Sequence, residues 1–228
     1  ARVLALTHNG RMPVWTASLN GHGSHAHVLD GYLALAVGAG QLRLVPLLAT
    51  FHSRPALAMD MVLAAGAAAA LGVEPDHMRS VLTAHQPPPG RLELLGTARG
   101  IRWVDDSCGT RPGRAAAALD GEASPVVLLA GGRKSGHNLA HWSCTVARSC
   151  AHALLFGDAS GDMAKALRAV GYVDRIVRCS DLTDAVSIVP RLAVRGDTVL
   201  YSPGAEPDPE CPAFRHLVPM SAARREAA

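Results

Sequence analysis

The stretch Arg102-Trp-Val-Asp-Asp-Ser-Cys-Gly-Thr110 begins as an apolar, strand-like run and ends in two carboxylates and a small polar turn. An alanine-rich segment follows from about Pro112 and predicts a helix. In an α/β sheet, the loops that follow the carboxyl ends of the strands carry the functional groups. The stretch therefore predicts an α/β domain in which Asp105 and Asp106 stand at such a strand end.

Strand-like and helix-like segments alternate from this stretch to the end of the chain. The predicted strands are Leu92–Leu95, Ile101–Val104, Val126–Ala130, Ala153–Phe156, Arg175–Arg178 and Thr198–Tyr201. The predicted helices are Pro112–Leu119, Leu139–Cys150, Gly161–Val170, Leu182–Val194 and Pro212–Arg225. Because the downstream strands are short and apolar throughout, we expect a doubly wound, mostly parallel sheet with both faces covered.

The first third of the chain has a different pattern. Its predicted elements are short strands at Val3–Leu6 and within His27–Leu44, with Asp30-Gly31 as a hairpin turn, and helices at Pro55–Leu71 and Asp76–Ala84. The triple proline Pro87-Pro-Pro89 cannot continue a helix and forms a stiff connector. We therefore expect a smaller α+β domain at residues 1–88 and the α/β domain at residues 89–228.

Composition narrows the class of protein. A chain of 228 residues with 49% hydrophobic and 18% charged residues is typical of a folded globular protein. A net charge of +3 does not by itself predict binding to nucleic acid or to a membrane. The alanine-rich run from Ala56 to Leu71 contains Asp60 and lacks the bulk of a membrane span. No signal-peptide pattern is present, so we expect a cytoplasmic protein.

Cysteine and histidine give weak metal-site signals. The five cysteines are scattered and form no C-x-x-C pair, which disfavours a disulfide framework or a structural zinc site. The stretch Gly21-His-Gly-Ser-His-Ala-His27 places three histidines close together. It could bind a metal ion, although no further ligand follows and a polar loop explains it equally well.

Four segments together resemble a known family. They are Gly90-Arg-Leu-Glu-Leu-Leu95, Arg102–Thr110, Val126-Val-Leu-Leu-Ala-Gly-Gly-Arg-Lys134 and Gly196-Asp-Thr-Val-Leu-Tyr-Ser-Pro203. In this order and spacing they resemble the C-terminal domain of the Mur ligases, ATP-dependent enzymes that add amino acids to the peptidoglycan precursor, and most of all the D-glutamate-adding branch. The resemblance covers roughly Gly31 to Val218. It implies a Rossmann-like C-terminal domain, preceded by a remnant of the central domain.

The resemblance implies three nucleotide-binding residues. Arg91 matches the arginine of the family's Leu-Pro-His-Arg linker and would reach nucleotide phosphates. Asp106 matches the second acid of the pattern Asn/Asp-Asp-Ser-Lys-Ala-Thr-Asn and would contact the ribose; Thr110 matches its threonine. Each residue also has an ordinary explanation: a surface arginine, a strand-end or helix-capping acid, and the N-cap of the helix that begins at Pro112.

Three further residues fall in the family's amino-acid site. Cys108 stands where the family has lysine and cannot supply its charge; it is either a small packed side chain or a nucleophile near a helix N-terminus. Lys134 takes the place of the lysine in the family's Gly-Gly-Arg-Asp-Lys-Gly loop, either with one residue deleted or displaced by one. Ser202 matches the first serine of the Ser-Pro-Ala-Cys-Ala-Ser loop.

The sequence lacks the phosphate-binding motif of the family. No G-x-x-x-x-G-K-[ST] occurs in these 228 residues, and we assign no catalytic residue and no metal ligand. The resemblance implies ATP and Mg²⁺ as cofactors and a small amino acid as substrate. We therefore expect the C-terminal portion of an ATP-dependent amide ligase, completed by a P-loop-containing half or subunit. The alternative is a non-catalytic binding or interaction protein that retains the fold.

Overall fold

A computed structural model describes residues 2–4, 15–20, 23–50, 55–209 and 213–218. The chain divides into two compact units, residues 1–87 and residues 88–228, so that the boundary falls inside the triple proline. Of the helices that the structure describes, none has both the length and the apolar composition needed to cross a bilayer.

The first unit contains a five-stranded sheet and two helices. Its elements are β1 (Arg2–Leu4), β2 (Trp15–Ser18), β3 (Ala26–Leu29), β4 (Tyr32–Val37), β5 (Gly40–Pro46), a short 3₁₀ turn (Leu47–Ala49), α1 (Pro55–Ala70) and α2 (Pro75–Ala84). The strands lie in sequence order, and all pairs are antiparallel except β2 with β3. Both residues of the β3–β4 turn have positive φ, 50° at Asp30 and 78° at Gly31. The predicted hairpin turn is therefore confirmed.

Helix α1 covers one face of this sheet. Leu57, Met61, Val62 and Ala65 are buried on the helix, and Leu33 is buried on β4. Strand β2 was not predicted, because four residues give too short a pattern to separate from a loop. Of the predicted strand Val3–Leu6, the last two residues lie outside the described residues.

The second unit alternates strands and helices. Its elements are β6 (Glu93–Ala98), β7 (Ile101–Asp105), α3 (Pro112–Leu119), β8 (Val126–Gly131), α4 (Ala140–Ser149), β9 (Cys150–Phe156), α5 (Ser160–Ala169), β10 (Ile176–Arg178), α6 (Leu182–Leu192), β11 (Thr198–Tyr201) and α7 (Phe214–Leu217). The strand order is β10-β9-β8-β11-β7-β6. All neighbouring pairs are parallel except β6 with β7, which confirms the predicted α/β fold with a mostly parallel sheet.

Both faces of this sheet are covered by protein. Val127 and Leu129 of β8 share a buried cluster with Leu182 and Val189 of α6. Successive side chains of a strand point to opposite faces, and the alternate β8 residues are buried as well. This double coverage explains why the strands read as continuous apolar runs.

The strand order brings three motifs together. Strand β11 comes last in the chain but lies between β7 and β8, and Tyr201 pairs with both Asp105 and Leu129. Because the three strands are parallel, the residues that follow Asp105, Gly131 and Tyr201 emerge at one edge of the sheet. In open α/β sheets this edge is where ligands bind.

Some predicted boundaries differ from the structure. Cys150 was placed in a helix, but it begins β9, where it is buried and pairs with Val126. Strand β10 starts one residue later than predicted, at Ile176. The predicted helix Pro212–Arg225 is seen only as Phe214–Leu217; Pro212 and residues 219–225 lie outside the described residues.

Candidate functional site

A hydrogen bond between Asp106 and Ser202 lies at the centre of this sheet edge. Ser202 Oγ donates to Asp106 Oδ2 over 2.7 Å, and both residues are 0% exposed. Asp106 Oδ1 is also buried and has no hydrogen-bond partner among the residues that the structure describes. The two residues are 96 positions apart in the sequence, and they meet because β11 lies next to β7.

Burial changes the acid–base behaviour of Asp106. It raises the pKa of the carboxyl group from 3.8 to about 6, because a buried carboxylate loses its hydration. The hydrogen bond from Ser202 acts in the opposite direction, as do the charges of Arg91 and Arg114 and the backbone N–H of Leu92. Asp106 is therefore a buried acid that titrates close to neutral pH, a property that is common at functional sites.

The end of the connector, extended here to include residues 90–92 before β6, packs against the Asp106–Ser202 pair. Arg91 is buried, and its guanidinium is close enough to Asp106 to favour the ionised form. Leu92 has a φ of +52°, which is rare for a bulky residue and marks local strain. The Leu92 N–H lies close enough to the Asp106 carboxylate to lower its pKa. The connector is thus anchored at the candidate site.

The loop after β7 holds the connector by two further contacts. The Cys108 N–H donates to the Gly90 carbonyl over 2.9 Å. Gly90 has a φ of +71°, and any side chain there would collide with Ser107. Cys108 is an exposed, free thiol whose Sγ lies 3.8 Å from the Pro89 carbonyl oxygen.

Asp105 has a different role from its neighbour Asp106. Its Oδ1 accepts from the Ser107 N–H over 2.9 Å, and its Oδ2 lies 3.6 Å from Arg215 of α7. Arg215 also pairs with Glu93 over 3.0 Å. Asp105 therefore connects the strand end to α7, and only Asp106 faces the candidate site.

Thr110 does not cap helix α3. The N-cap is Arg111, with φ −126° and ψ 142°, and no side chain accepts a capping hydrogen bond there. The N-cap interpretation of Thr110 was wrong, because the helix starts one residue later than that role requires. Thr110 is half-buried in the loop between Asp106 and α3.

Lys134 lies beside a separate, shallow cleft. Within the described part of the chain, its ion pair is with Asp162 at 2.8 Å, rather than with the Asp106–Ser202 pair. The hydrogen bond between Lys134 and Asp162 raises the pKa of Lys134. The cleft has a volume of about 280 Å³ including its open mouth, and His137, Leu139 and Met163 are among its lining residues. Of the substrate-binding residues predicted from the sequence, Ser202 thus lies in the buried pair, whereas Lys134 lies apart.

The two glycines at the end of β8 allow a close backbone approach, and other parts of the protein occupy the space beside them. A side chain at Gly131 would collide with the Phe156 carbonyl, and one at Gly132 with the Glu206 carbonyl. Arg133 donates its N–H to the Glu206 carbonyl over 2.9 Å. The end of β9 therefore fills the space beside Gly131, and the loop after β11 fills the space beside Gly132.

The histidine-rich segment of the first unit forms internal contacts. His25 Nδ1 accepts from the Thr16 N–H over 3.1 Å, and His27 Nδ1 lies 3.0 Å from the Ser24 carbonyl oxygen. His22 lies outside the described residues. No group of three histidine, cysteine or acidic residues in the described part of the chain could hold a metal ion.

Comparison with known proteins supplies the family. The family model described as Mur ligase, glutamate ligase domain, matches residues 90–204, which is half of the chain and includes Arg91, Asp106, Lys134 and Ser202. This chain belongs to the Mur ligase family. The match contains the β7, β8 and β11 strand ends that form the candidate site.

Curated relatives agree with this assignment. The UDP-N-acetylmuramoylalanine–D-glutamate ligase of Pelotomaculum thermopropionicum is 34% identical over 146 residues, which cover 64% of this chain and 32% of that protein. The ligase of the same name from Frankia casuarinae is 35% identical over 179 residues, which cover 78% of this chain and 37% of that protein. The chain thus spans about a third of the length of these relatives.

Solved structures of a murein peptide ligase and of a folylpolyglutamate synthase share the fold. The murein peptide ligase of Psychrobacter arcticus matches with a TM-score of 0.59 at 16% identity, covering 90% of this chain and 45% of that one. The Mycobacterium tuberculosis folylpolyglutamate synthase complexed with ADP matches with a TM-score of 0.59 at 20% identity, covering 80% and 45%. At this identity the likeness concerns the fold alone.

Proposed function

We propose that this chain is the C-terminal portion of a Mur-type, ATP-dependent amide ligase that helps to bind ATP and the incoming amino acid. The observation that carries the proposal is the meeting of Asp106, Ser202 and Gly131 at adjacent strand ends of a family domain matched over residues 90–204. In such a reaction, ATP phosphorylates a substrate carboxylate and the amine of an amino acid then attacks the acyl phosphate.

The described residues fit one end of a nucleotide. Asp106 Oδ1 is a carboxylate oxygen with free acceptor capacity, suited to a ribose hydroxyl, and Arg91 supplies a positive charge for a phosphate. These residues do not form a phosphate cradle, and the sequence has no P-loop. We assign no Mg²⁺ ligand in this chain. Phosphoryl transfer therefore depends on a P-loop-containing half or subunit.

Reconstitution tests the proposal. The chain is mixed with Mg-ATP, amino acid, acyl acceptor and the part of the Frankia casuarinae relative that it does not match, and phosphate and amide product are measured. We expect activity above background only in the mixture. Robust Mg²⁺-dependent phosphate release by the isolated, contaminant-free chain would overturn the proposal.

Nucleotide binding by the isolated chain is a second measure. Without the phosphate cradle we expect a Kd no tighter than about 0.1 mM, which corresponds to roughly 5.5 kcal/mol. Amide chemical shifts during an ATP titration report it. Shifts that persist in both Arg91→Ala and Asp106→Ala would place the nucleotide elsewhere.

A non-catalytic binding protein is the alternative, and two observations favour it. Cys108 stands where the family pattern has lysine, and Asp106 and Ser202 are turned toward each other rather than toward solvent. Failure of reconstitution with several P-loop halves, together with capture of an intact partner in native mass spectrometry, would support this reading.

A further inference from the structure

Asp106 and Ser202 are two polar side chains at the sheet edge where a ligand would bind. In this structure they form a hydrogen bond with each other. A hydroxyl has one proton to donate, and Ser202 donates it to Asp106 Oδ2. Both residues are fully buried. A ligand that accepts the Ser202 proton or donates to Asp106 Oδ2 must therefore first separate the pair, and Oδ1, although it has no partner among the described residues, is equally buried.

Gly109 is what allows the two side chains to meet. Its N–H donates to the Asp106 carbonyl over 2.6 Å, and its own carbonyl accepts from the Gly204 N–H over 2.7 Å. The backbone at position 109 is thus fixed between the β7 and β11 loops. An alanine Cβ there would overlap Asp106 Oδ2 and lie 2.5 Å from Ser202 Oγ.

The steric clash of an alanine methyl group would be mainly with the side chains of Asp106 and Ser202, and it would not arise from the backbone conformation of residue 109. The φ of Gly109 lies outside the left-handed region, so alanine can adopt it. The added methyl group would also lie 2.9 Å from the Asp106 carbonyl oxygen, which calls for a small backbone shift. The carboxylate and the hydroxyl are the ends of rotatable side chains, and they can move apart.

We propose that Gly109 keeps this site closed by letting Asp106 and Ser202 bond to each other, and that a methyl group at position 109 opens the pair to ligands. The identity of the ligand, a nucleotide with ribose hydroxyls, rests on the proposed function. The closure itself does not, because it follows from the packing of Gly109.

The pKa of Asp106 indicates whether its hydrogen bond with Ser202 is broken and the site is open to water. The charged groups that face it are Arg91 from the connector and Arg114 from α3, and both are retained in the test variants. Burial is the main cause of its raised pKa. Entry of water on opening would remove much of this desolvation and lower the titration midpoint.

The first experiment measures the carboxyl ¹³C shift of Asp106 against pH in the intact chain. In Gly109→Ala we expect the midpoint to fall by about one unit from the wild-type value, because the relief of desolvation, which is the larger effect, outweighs the loss of the hydrogen bond from Ser202. Gly113→Ala is the matched control, because a Cβ at that position meets no atom within 4 Å. A folded Gly109→Ala protein with the wild-type midpoint would overturn the proposal.

Ser202→Ala tests the pair without adding an atom. The hydrogen bond from Ser202 lowers the pKa of Asp106, so its removal should move the midpoint upward. The two variants therefore shift the same titration in opposite directions. An unmoved midpoint in Ser202→Ala would show that the pair does not exist in solution, even if Gly109→Ala fails to fold.

An AMP titration separates closure from function. If the opened site binds nucleotide, Gly109→Ala should bind AMP about tenfold more tightly than the wild type, and the gain should vanish in Gly109→Ala/Asp106→Ala. A lowered midpoint with unchanged AMP affinity would support the closure and count against Asp106 as a nucleotide ligand.

Discussion

The buried carboxyl group of Asp106 should make the stability of this chain depend on pH in an unusual direction. Its pKa is raised from 3.8 to about 6 in the folded state, chiefly by burial. The folded state therefore binds the proton more tightly than the unfolded state. The stabilising contribution is fully present below about pH 4 and is lost as the pH rises through about 6.

The size of this contribution follows from the shift. A change of about two units at 1.36 kcal/mol per unit corresponds to about 3 kcal/mol. The substitution Asp106→Asn keeps the shape and the acceptor for Ser202 but removes the ionisation. Relative to wild type, the variant should gain about 2.5 kcal/mol in free energy of unfolding between pH 4 and pH 7, because at pH 4 the carboxyl group is already partly ionised in the unfolded state.

Urea denaturation at closely spaced pH values measures this difference. Asp158→Asn is the matched control, because Asp158 is an exposed aspartate two residues after β9; its curve should run parallel to wild type. If Asp106→Asn also runs parallel to wild type, Asp106 is hydrated in solution, and the reasoning from its burial fails.

Three further outcomes test the packing around the site. Gly131→Ala should destabilise the chain by more than about 2 kcal/mol in thermal unfolding, because the methyl group would collide with the Phe156 carbonyl; little change would mean that the strand end packs more loosely in solution than in this structure. Arg99→Asn should stabilise the β6–β7 hairpin by about 0.5–1 kcal/mol, since residue 99 has a φ of +55° that asparagine tolerates better; equal or lower stability would contradict this. In thiol titration, Cys108 should react in the native state and buried Cys150 only on unfolding; equal rates would refute the placement.

Local sequence pattern accounts for most elements of the fold. The β8 run is apolar because both of its faces are covered, and the Asp30-Gly31 turn follows from two residues that tolerate positive φ. Boundaries were less predictable where a helix passes directly into a strand. At Cys150, pairing with Val126 of β8 decides that the residue is in a strand, and Val126 lies 24 residues away in the sequence.

The contacts of the site could not be predicted from the sequence. No local pattern shows that β11 lies between β7 and β8, so the Asp106–Ser202 hydrogen bond was not foreseen. Lys134 was predicted from its motif, but Asp162 as its partner depends on where α5 begins. The family-matched residues were thus found by motif, whereas their partners required the tertiary structure.

The structure also shows which groups lie beside the two glycines at the end of β8. Glycines at a sheet rim allow close approach of another group, and the sequence does not say which group approaches. Here the Phe156 and Glu206 carbonyls occupy that space, just as Ser202 occupies the acceptor Oδ2 of Asp106. The space beside the glycines and Asp106 Oδ2 are therefore occupied by protein atoms, whereas Asp106 Oδ1 has no hydrogen-bond partner among the described residues. A ligand that uses Asp106 Oδ2 or the space beside Gly132 must replace contacts of the loop after β11, so its affinity depends on how readily that loop moves.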